Sequence, residues 1–198
     1  MPDPARLTPE TLLTAYAQGI FPMTDRDGQV HWYTADPRGI LPLENFHIPH
    51  TLRQLLRRQP PPFEIRVNSD FSRTIRACMT ARPGKTWIGD AIIEAYTQLH
   101  LLGFAHSIEA WQNEKLVGGL YGVTIGAAFF GESMFHVAPH ASKAALVALV
   151  DRLRERGFEL LDAQATTPHL RRFGCVEIPA AEYLRRLRVA IEKERQFA

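Results

Sequence analysis

The sequence predicts an α+β fold: a mixed sheet covered by helices, with a small N-terminal α+β domain attached. Three apolar strands follow one another directly, Ala105–Trp111, Leu116–Val123 and Ala127–Phe135, with turns at Gln112-Asn113-Glu114-Lys115 and Ile125-Gly126, as in a run of hairpins. The next strand, Phe158–Asp162, is reached only through the amphipathic helix Ser142–Arg156, which implies a sheet with helical cover. Ahead of this regular region stands Pro60-Pro61-Pro62, a stiff spacer that continues neither a helix nor a central strand. The chain is therefore expected to divide into residues 1–62 and 63–198.

Each element has its own signal. Thr8-Pro9-Glu10 opens a helix, with Thr8 as N-cap and proline in the first position. Leu12, Leu13 and Tyr16 form its apolar stripe, and Gly19 stops it. Phe21-Pro22, Trp32-Tyr33, Asp36-Pro37-Arg38-Gly39 and Leu41-Pro42 then read as short extended pieces. Past the prolines, Phe63–Val67 alternates as a strand and Asp70–Thr80 reads as a helix. A second helix, Ile88–Leu101, sets Ile92, Ala95, Tyr96 and Leu99 on one face. Ser142–Arg156 buries Leu146, Leu149, Val150 and Leu153 and ends at Gly157. Pro168–Phe173 is a short helix, Cys175–Ile178 a strand, and the tail from Ala180 is helical and charged.

The resulting order, βααβββαβαβ, is that of a GNAT-like acyltransferase domain, an analogy of topology alone. A coenzyme A-dependent member would carry a glycine-rich basic loop into the helix after the third hairpin strand, where backbone N–H groups hold pyrophosphate. Here that loop is His136-Val137-Ala138-Pro139-His140-Ala141-Ser142, without glycine. The acyl donor is expected to be something other than coenzyme A.

Composition excludes several classes. With 198 residues, 45% apolar and 22% charged, the chain suits one globular domain with a small attachment. No apolar run approaches the roughly 20 residues of a membrane span, and Met1–Glu10 shows no secretory pattern, so a cytoplasmic setting is expected. Cys78 and Cys175 make neither a metal-spaced pair nor a disulfide framework. The pairs His47/His50 and His136/His140 lack a third nearby ligand and read as ordinary loop histidines. Ser133 lacks the second glycine of a nucleophile elbow, which speaks against a serine hydrolase.

Net charge is only +2 but unevenly placed. Arg53, Arg57, Arg58, Arg66, Arg73, Arg76, Arg82 and Lys85 lie between Thr51 and Thr86, opposed only by Glu64 and Asp70. Such a face suits a polyanion; a solvated Arg-rich surface would read the same from charge alone. Two carboxylates also interrupt apolar strands. Glu132 stands between Phe129-Phe130-Gly131 and Ser133-Met134-Phe135, and Asp162 between Leu160-Leu161 and Ala163-Gln164. A carboxylate in a core-facing strand must be paired, hydrogen-bonded or functional. Glu132 and Asp162 are expected to line one polar-bottomed cleft, with exposed strand-edge acids as the alternative.

The motifs Thr86-Trp87-Ile88, Ala105-His106-Ser107-Ile108-Glu109, Leu116-Val117-Gly118-Gly119-Leu120-Tyr121-Gly122 and Gly131-Glu132-Ser133-Met134-Phe135 occur together in a known order. With Gly19-Ile20-Phe21-Pro22, Trp32…Asp36-Pro37-Arg38, Ala141-Ser142-Lys143, Asp162…Gln164 and Glu177-Ile178-Pro179, they cover nearly the whole chain. In this ordered set the sequence resembles the leucyl/phenylalanyl-tRNA–protein transferases. The resemblance implies an aminoacyltransferase that moves leucine or phenylalanine from aminoacyl-tRNA to the N-terminal amine of an acceptor protein. The acceptor usually begins with Arg or Lys, and the product is marked for degradation. No metal or coenzyme is implied, and neither a membrane nor DNA is an expected partner. A GNAT-type enzyme using a small thioester, or a non-catalytic tRNA-binding module, are the competing readings.

By the same resemblance, Asp162 and Gln164 engage the acceptor amine and its backbone, and Glu132 partners a cationic acceptor side chain or the amine. An ordinary Asp, with pKa about 3.9, is a poor base for an α-amine near 7.7–8.0. Asp162 is therefore expected mainly to orient the amine, taking its proton only if burial raises the pKa. Leu120, Phe129, Met134, Leu146, Leu149 and Leu161 match apolar positions of the donor pocket, although helix periodicity alone makes Leu146 and Leu149 core residues. Ser133 belongs with this substrate-binding group, and Trp87 and Tyr96 are expected to pack on the donor's adenosine or sugar. Arg76, Arg82 and Lys85 are the expected tRNA contacts. The sequence departs from the family pattern at Met23, where the family has Trp, at His136-Val137 for Ser-Arg, and at His140 for Asn. It also lacks the Gly-Gly-Asp-Leu stretch common upstream.

Overall fold

The computed structural model describes residues 7–25, 28–81 and 86–198. Helix α1 (Pro9–Ala17) starts as its capping residues require, with Thr8 Oγ1 accepting the Thr11 N–H at 3.2 Å. The two-stranded hairpin β1 (Phe21–Thr24) and β2 (Val30–Tyr33) follows. The remaining strands are β3 (Arg38–Ile40), β4 (Glu64–Val67), β5 (Ala105–Gln112), β6 (Lys115–Ile125), β7 (Ala128–His136), β8 (Leu160–Gln164) and β9 (Val176–Ile178). They form one seven-stranded sheet in the order β4–β5–β6–β7–β8–β3–β9. β7 and β8 run parallel and the other neighbours antiparallel. This is the mixed sheet that the element order implied.

The helices are α2 (His50–Leu56), α3 (Phe71–Thr80), α4 (Asp90–Leu101), α5 (Ala141–Glu155), α6 (Pro168–Arg171) and α7 (Ala180–Ile191). The period-two alternation of the strands sorts adjacent residues into two cores. Phe130, Leu160 and Ile40 face one layer, packed with Leu12, Tyr16, Ile75, Ile92, Tyr96 and Leu187 from α1, α3, α4 and α7. Phe129, Leu161 and Leu41 face the other, under Leu146, Leu149, Val150 and Leu153 of α5. Each side of the sheet is thus closed by helices, as a largely apolar central strand demands.

The break expected at Pro60-Pro61-Pro62 does not coincide with the edge of the sheet. β3, from the first sixty residues, inserts between β8 and β9, and Leu41, Leu43, Phe46 and Leu52 are buried in the α5 core. A proline run reports local stiffness. Strand pairing across more than a hundred residues leaves no local trace, so residues 38–56 join the large sheet and the α5 core, while Arg38 and Ile40 also pack against the preceding segment.

Glu109, a third strand carboxylate, is fully buried and accepts hydrogen bonds from the Asp70 N–H, Ser107 Oγ and Trp111 Nε1 at 2.8, 2.8 and 3.1 Å. It ties β5 to the start of α3 and is structural. His140, in the left-handed region (φ 71°), stands at the N-cap of α5 and makes no side-chain cap bond, in keeping with the poor capping chemistry of His.

Candidate functional site

A cleft of about 1100 Å³ opens among the β1–β2 hairpin, the segment before α4, the ends of β7 and β8, and the start of α5. Glu132 reaches it from a bulge. Tyr121 pairs with Ser133 and Gly122 with Gly131, leaving Glu132 as the extra residue of β7. A bulge re-aims one side chain out of the sheet's alternation. Gly122 permits it, since a Cβ there would meet the Phe129 ring and the Phe130 carbonyl.

The half-buried Glu132 carboxylate accepts hydrogen bonds from Tyr16 Oη at 2.7 Å, Gln164 Nε2 at 3.0 Å and Tyr96 Oη at 3.4 Å. The Tyr16 and Tyr96 hydroxyls also touch each other. Burial pushes the Glu132 carboxyl up to about 8; the Tyr16 hydrogen bond lowers it, the Asp162 charge raises it and Arg38 lowers it. Burial, and then the Glu132 charge, holds both tyrosine hydroxyls well above their ordinary range, so both remain donors. The result is a carboxylate with three neutral donors and, among the described residues, no direct ion pair, whose proton affinity falls in the amine range.

Asp162 sits in a different environment. It is fully buried at the cleft wall, and Arg38, 1% exposed, binds it through Nε at 3.0 Å and Nη2 at 2.6 Å. Tyr183 Oη donates to Oδ2 at 2.7 Å, and the Gln164 N–H donates to Oδ1 at 2.8 Å. Arg38 in turn donates to the Gly19 carbonyl at 2.9 Å and lies between the Phe21 and Tyr183 rings, 4.8 and 4.5 Å from their centroids. Burial alone would lower the Arg38 pKa, but the Asp162 hydrogen bonds and charge keep it above its ordinary value. Asp162 is among the residues lining the cleft, and both its oxygens already accept hydrogen bonds from protein donors. Asp162 also holds the backbone of Gln164, which stands at φ 60°, a strained position for a residue with a Cβ.

Gln164 links the two acids. Its backbone donates to Asp162 and its Nε2 to Glu132, while Oε1 has no protein partner among the described residues. Of the other expected site residues, Trp87, Leu120, Ser133, Met134, Leu146, Leu149 and Leu161 line the cleft. Tyr96 and Phe129 do not. Tyr96 is buried under Glu132, and Phe129 lies behind the apolar wall, in the same core as Leu120 and Leu161. The tyrosine therefore touches a carboxylate rather than open space for an adenosine. Met23 lines the cleft, and the neighbouring Thr24 N–H donates to the Trp87 carbonyl at 3.0 Å, which joins the hairpin to the segment before α4. Arg76 is exposed on α3 and outside the cleft lining; Arg82 and Lys85 lie outside the described residues. The cleft lining also includes His136, His140, Lys143 and His169. Burial and then the charge of Lys143 lower the His169 pKa.

Sequence reasoning missed Tyr16, Arg38 and Tyr183. Tyr16 reads as one more apolar position of α1, although a buried tyrosine hydroxyl needs a polar partner. Arg38 did leave a signal. It precedes Gly39-Ile40-Leu41 in an extended apolar piece, and a charge there calls for a buried counter-charge just as Glu132 and Asp162 do.

Known proteins share both parts of this chain. Residues 40–188 match the family model described as leucyl/phenylalanyl-tRNA protein transferase, and residues 5–36 match that of its N-terminal domain. A leucyl/phenylalanyl-tRNA–protein transferase of Akkermansia muciniphila is 52% identical over 96% of this chain and 98% of its own length. One from Herpetosiphon aurantiacus is 53% identical over 97% of this chain and 98% of its own. Among solved structures, L-PGS from Bacillus licheniformis aligns over 93% of this chain and 71% of its own at 12% identity, with a TM-score of 0.50, a likeness of fold alone.

Proposed function

The chain belongs to the leucyl/phenylalanyl-tRNA–protein transferase family, and from that premise we propose how its cleft carries out the transfer. It is an aminoacyltransferase. Its donor is leucine or phenylalanine esterified to tRNA, and its acceptor is the N-terminal amine of a protein, with Arg or Lys as the expected first residue. The product is a substrate for degradation, and the setting is cytoplasmic. Among the described residues no helix is long and apolar enough to cross a membrane.

In the reaction the amine nitrogen attacks the ester carbonyl. A C–N bond forms, the C–O bond to the terminal ribose breaks, the amine loses a proton and the ribose oxygen gains one. Holding amine and ester together contributes about 7–11 kcal/mol. The donor's side chain lies against Leu120, Met134, Leu146, Leu149 and Leu161, an apolar wall without charge. Met134 lets that wall adapt to either side chain.

Glu132 is the proton acceptor. Its carboxyl, pushed up to about 8, matches the α-amine at about 7.7–8.0, where proton transfer is most efficient. The same proton can pass from Glu132 to the departing ribose oxygen. Gln164 Oε1 accepts an amine N–H while its Nε2 holds Glu132. Asp162 is a positioning residue that fixes the Gln164 backbone and neutralises Arg38. The observation that carries this reading is the difference between the two carboxylates, one ion-paired and saturated, the other tied, among the described residues, only to neutral donors.

The test is transfer of radiolabelled leucine from charged tRNA to peptides beginning with Arg, Lys, Asp or Glu. Transfer to the Arg and Lys peptides is expected. Labelling of the acidic peptides alone would contradict the acceptor class.

A further inference from the structure

We propose that Phe197, in the segment after α7, is a positioning residue for donor selection: by backing Phe129 it sets the depth of the apolar pocket that receives the donor side chain. The proposal rests on the reading of the cleft as the donor site. The layer between the sheet and α5 is open at one end, where Leu120, Leu146, Leu149 and Leu161 line the cleft. At its other end Phe197, 3% exposed, closes it. The Phe197 ring lies 5.3 Å from that of Phe129, 6.1 Å from Phe158 and 4.5 Å from the His106 ring, on which it stacks.

The chain after α7 is fastened at each step to bring the ring there. Lys193 pairs with Glu159 at 2.6 Å, and Arg195 Nε donates to the Gly157 carbonyl at 2.9 Å. Arg152 Nε donates to the Phe197 carbonyl at 2.6 Å, with its guanidinium 5.2 Å from the Phe197 ring centroid. The segment thus runs from α7, on one face of the sheet, to the α5 core on the other. Phe129 is itself fully buried and pairs with Leu161 of the cleft wall. In a close-packed interior, volume removed at one side chain is felt by the next. Removing the Phe197 ring leaves Phe129 room to retreat, and the wall in front of it deepens.

The readout is the ratio of kcat/KM for phenylalanyl-tRNA to that for leucyl-tRNA, measured in one preparation so that the folded fraction cancels. Phe197→Ala is expected to raise this ratio about threefold to tenfold, mainly through KM, because the longer pocket fits the larger side chain. Phe197→Leu, which keeps most of the volume, should move it by less than about twofold. If the Ala variant does not fold, Phe197→Val takes its place, and the ratio should still follow the volume removed. A ratio that stays constant across the series while thermal stability falls would overturn the proposal and leave Phe197 as core packing. A wild-type protein that transferred neither amino acid would instead overturn the reading of the cleft.

Discussion

Glu132 holds a proton tightly because burial outweighs the help of its neighbours: Tyr16, Tyr96 and Gln164 donate hydrogen bonds, and none carries a charge. As the proposed base it works only when ionised, so transfer should rise with pH through about 8. The Tyr16 hydrogen bond favours the ionised form. Tyr16→Phe should therefore move this limb to higher pH, measured as a kcat/KM–pH profile with one acceptor so that the amine's own titration is constant. A limb that stayed in place would separate Glu132 from the proton transfer. The same shift acts on stability. The folded protein retains a proton on Glu132 up to about 8, while the unfolded chain releases it near 4.5. Between those values the native state binds more protons, so stability falls as pH rises. Thermal melts of Glu132→Gln should lack this part of the fall, and the variant should gain on the wild type as pH approaches 8.

β3 is only three residues long, yet it connects the N-terminal segment to the site. It pairs with β8 and β9, and it supplies Arg38 to Asp162 and to the Gly19 carbonyl. Arg38→Ala would leave Asp162 buried without its counter-charge, a loss of about 3–5 kcal/mol, read in denaturant unfolding. Arg38→Met with Asp162→Asn should lose less, since no charge is then stranded; equal losses would mean that the pair adds nothing beyond packing. The length of β3 also explains what could be read in advance. The strands Ala105–Trp111, Leu116–Val123 and Ala127–Phe135 and the helix Ser142–Arg156 declare themselves by period and turn residues. Glu132 and Asp162 stand out as charges in apolar runs. Their division of labour does not, because it depends on Arg38, Tyr16 and Tyr183, which are distant in sequence and meet the acids only in the folded chain.

The protein taken entire must serve a charged tRNA and a protein acceptor, whose N-terminal amine is the proposed nucleophile. Of the basic residues from Arg53 to Lys85, Arg53 lies on α2, Arg66 on β4 and Arg73 and Arg76 on α3, all outside the lining of the cleft that holds the proposed reacting groups. Binding of charged tRNA should weaken steeply with salt, and replacing Arg76, Arg82 and Lys85 together should flatten the slope by about 0.7–0.9 for each phosphate no longer neutralised. An unchanged slope would move the tRNA to another surface, with Arg171 and Arg172 the next candidates. In the proposed mechanism both substrates meet at the two acids, where Glu132 takes the amine proton and Asp162 holds Gln164 and neutralises Arg38. The decisive measurement is single-turnover transfer of leucine to an Arg-peptide, at saturating donor and acceptor, for Glu132→Gln and Asp162→Asn side by side. Glu132→Gln should slow the step by about 10²–10⁴-fold with donor affinity retained, and Asp162→Asn should slow it less. A Glu132→Gln protein that transferred at the wild-type rate, or an Asp162→Asn protein that was the slower of the two, would contradict the assignment.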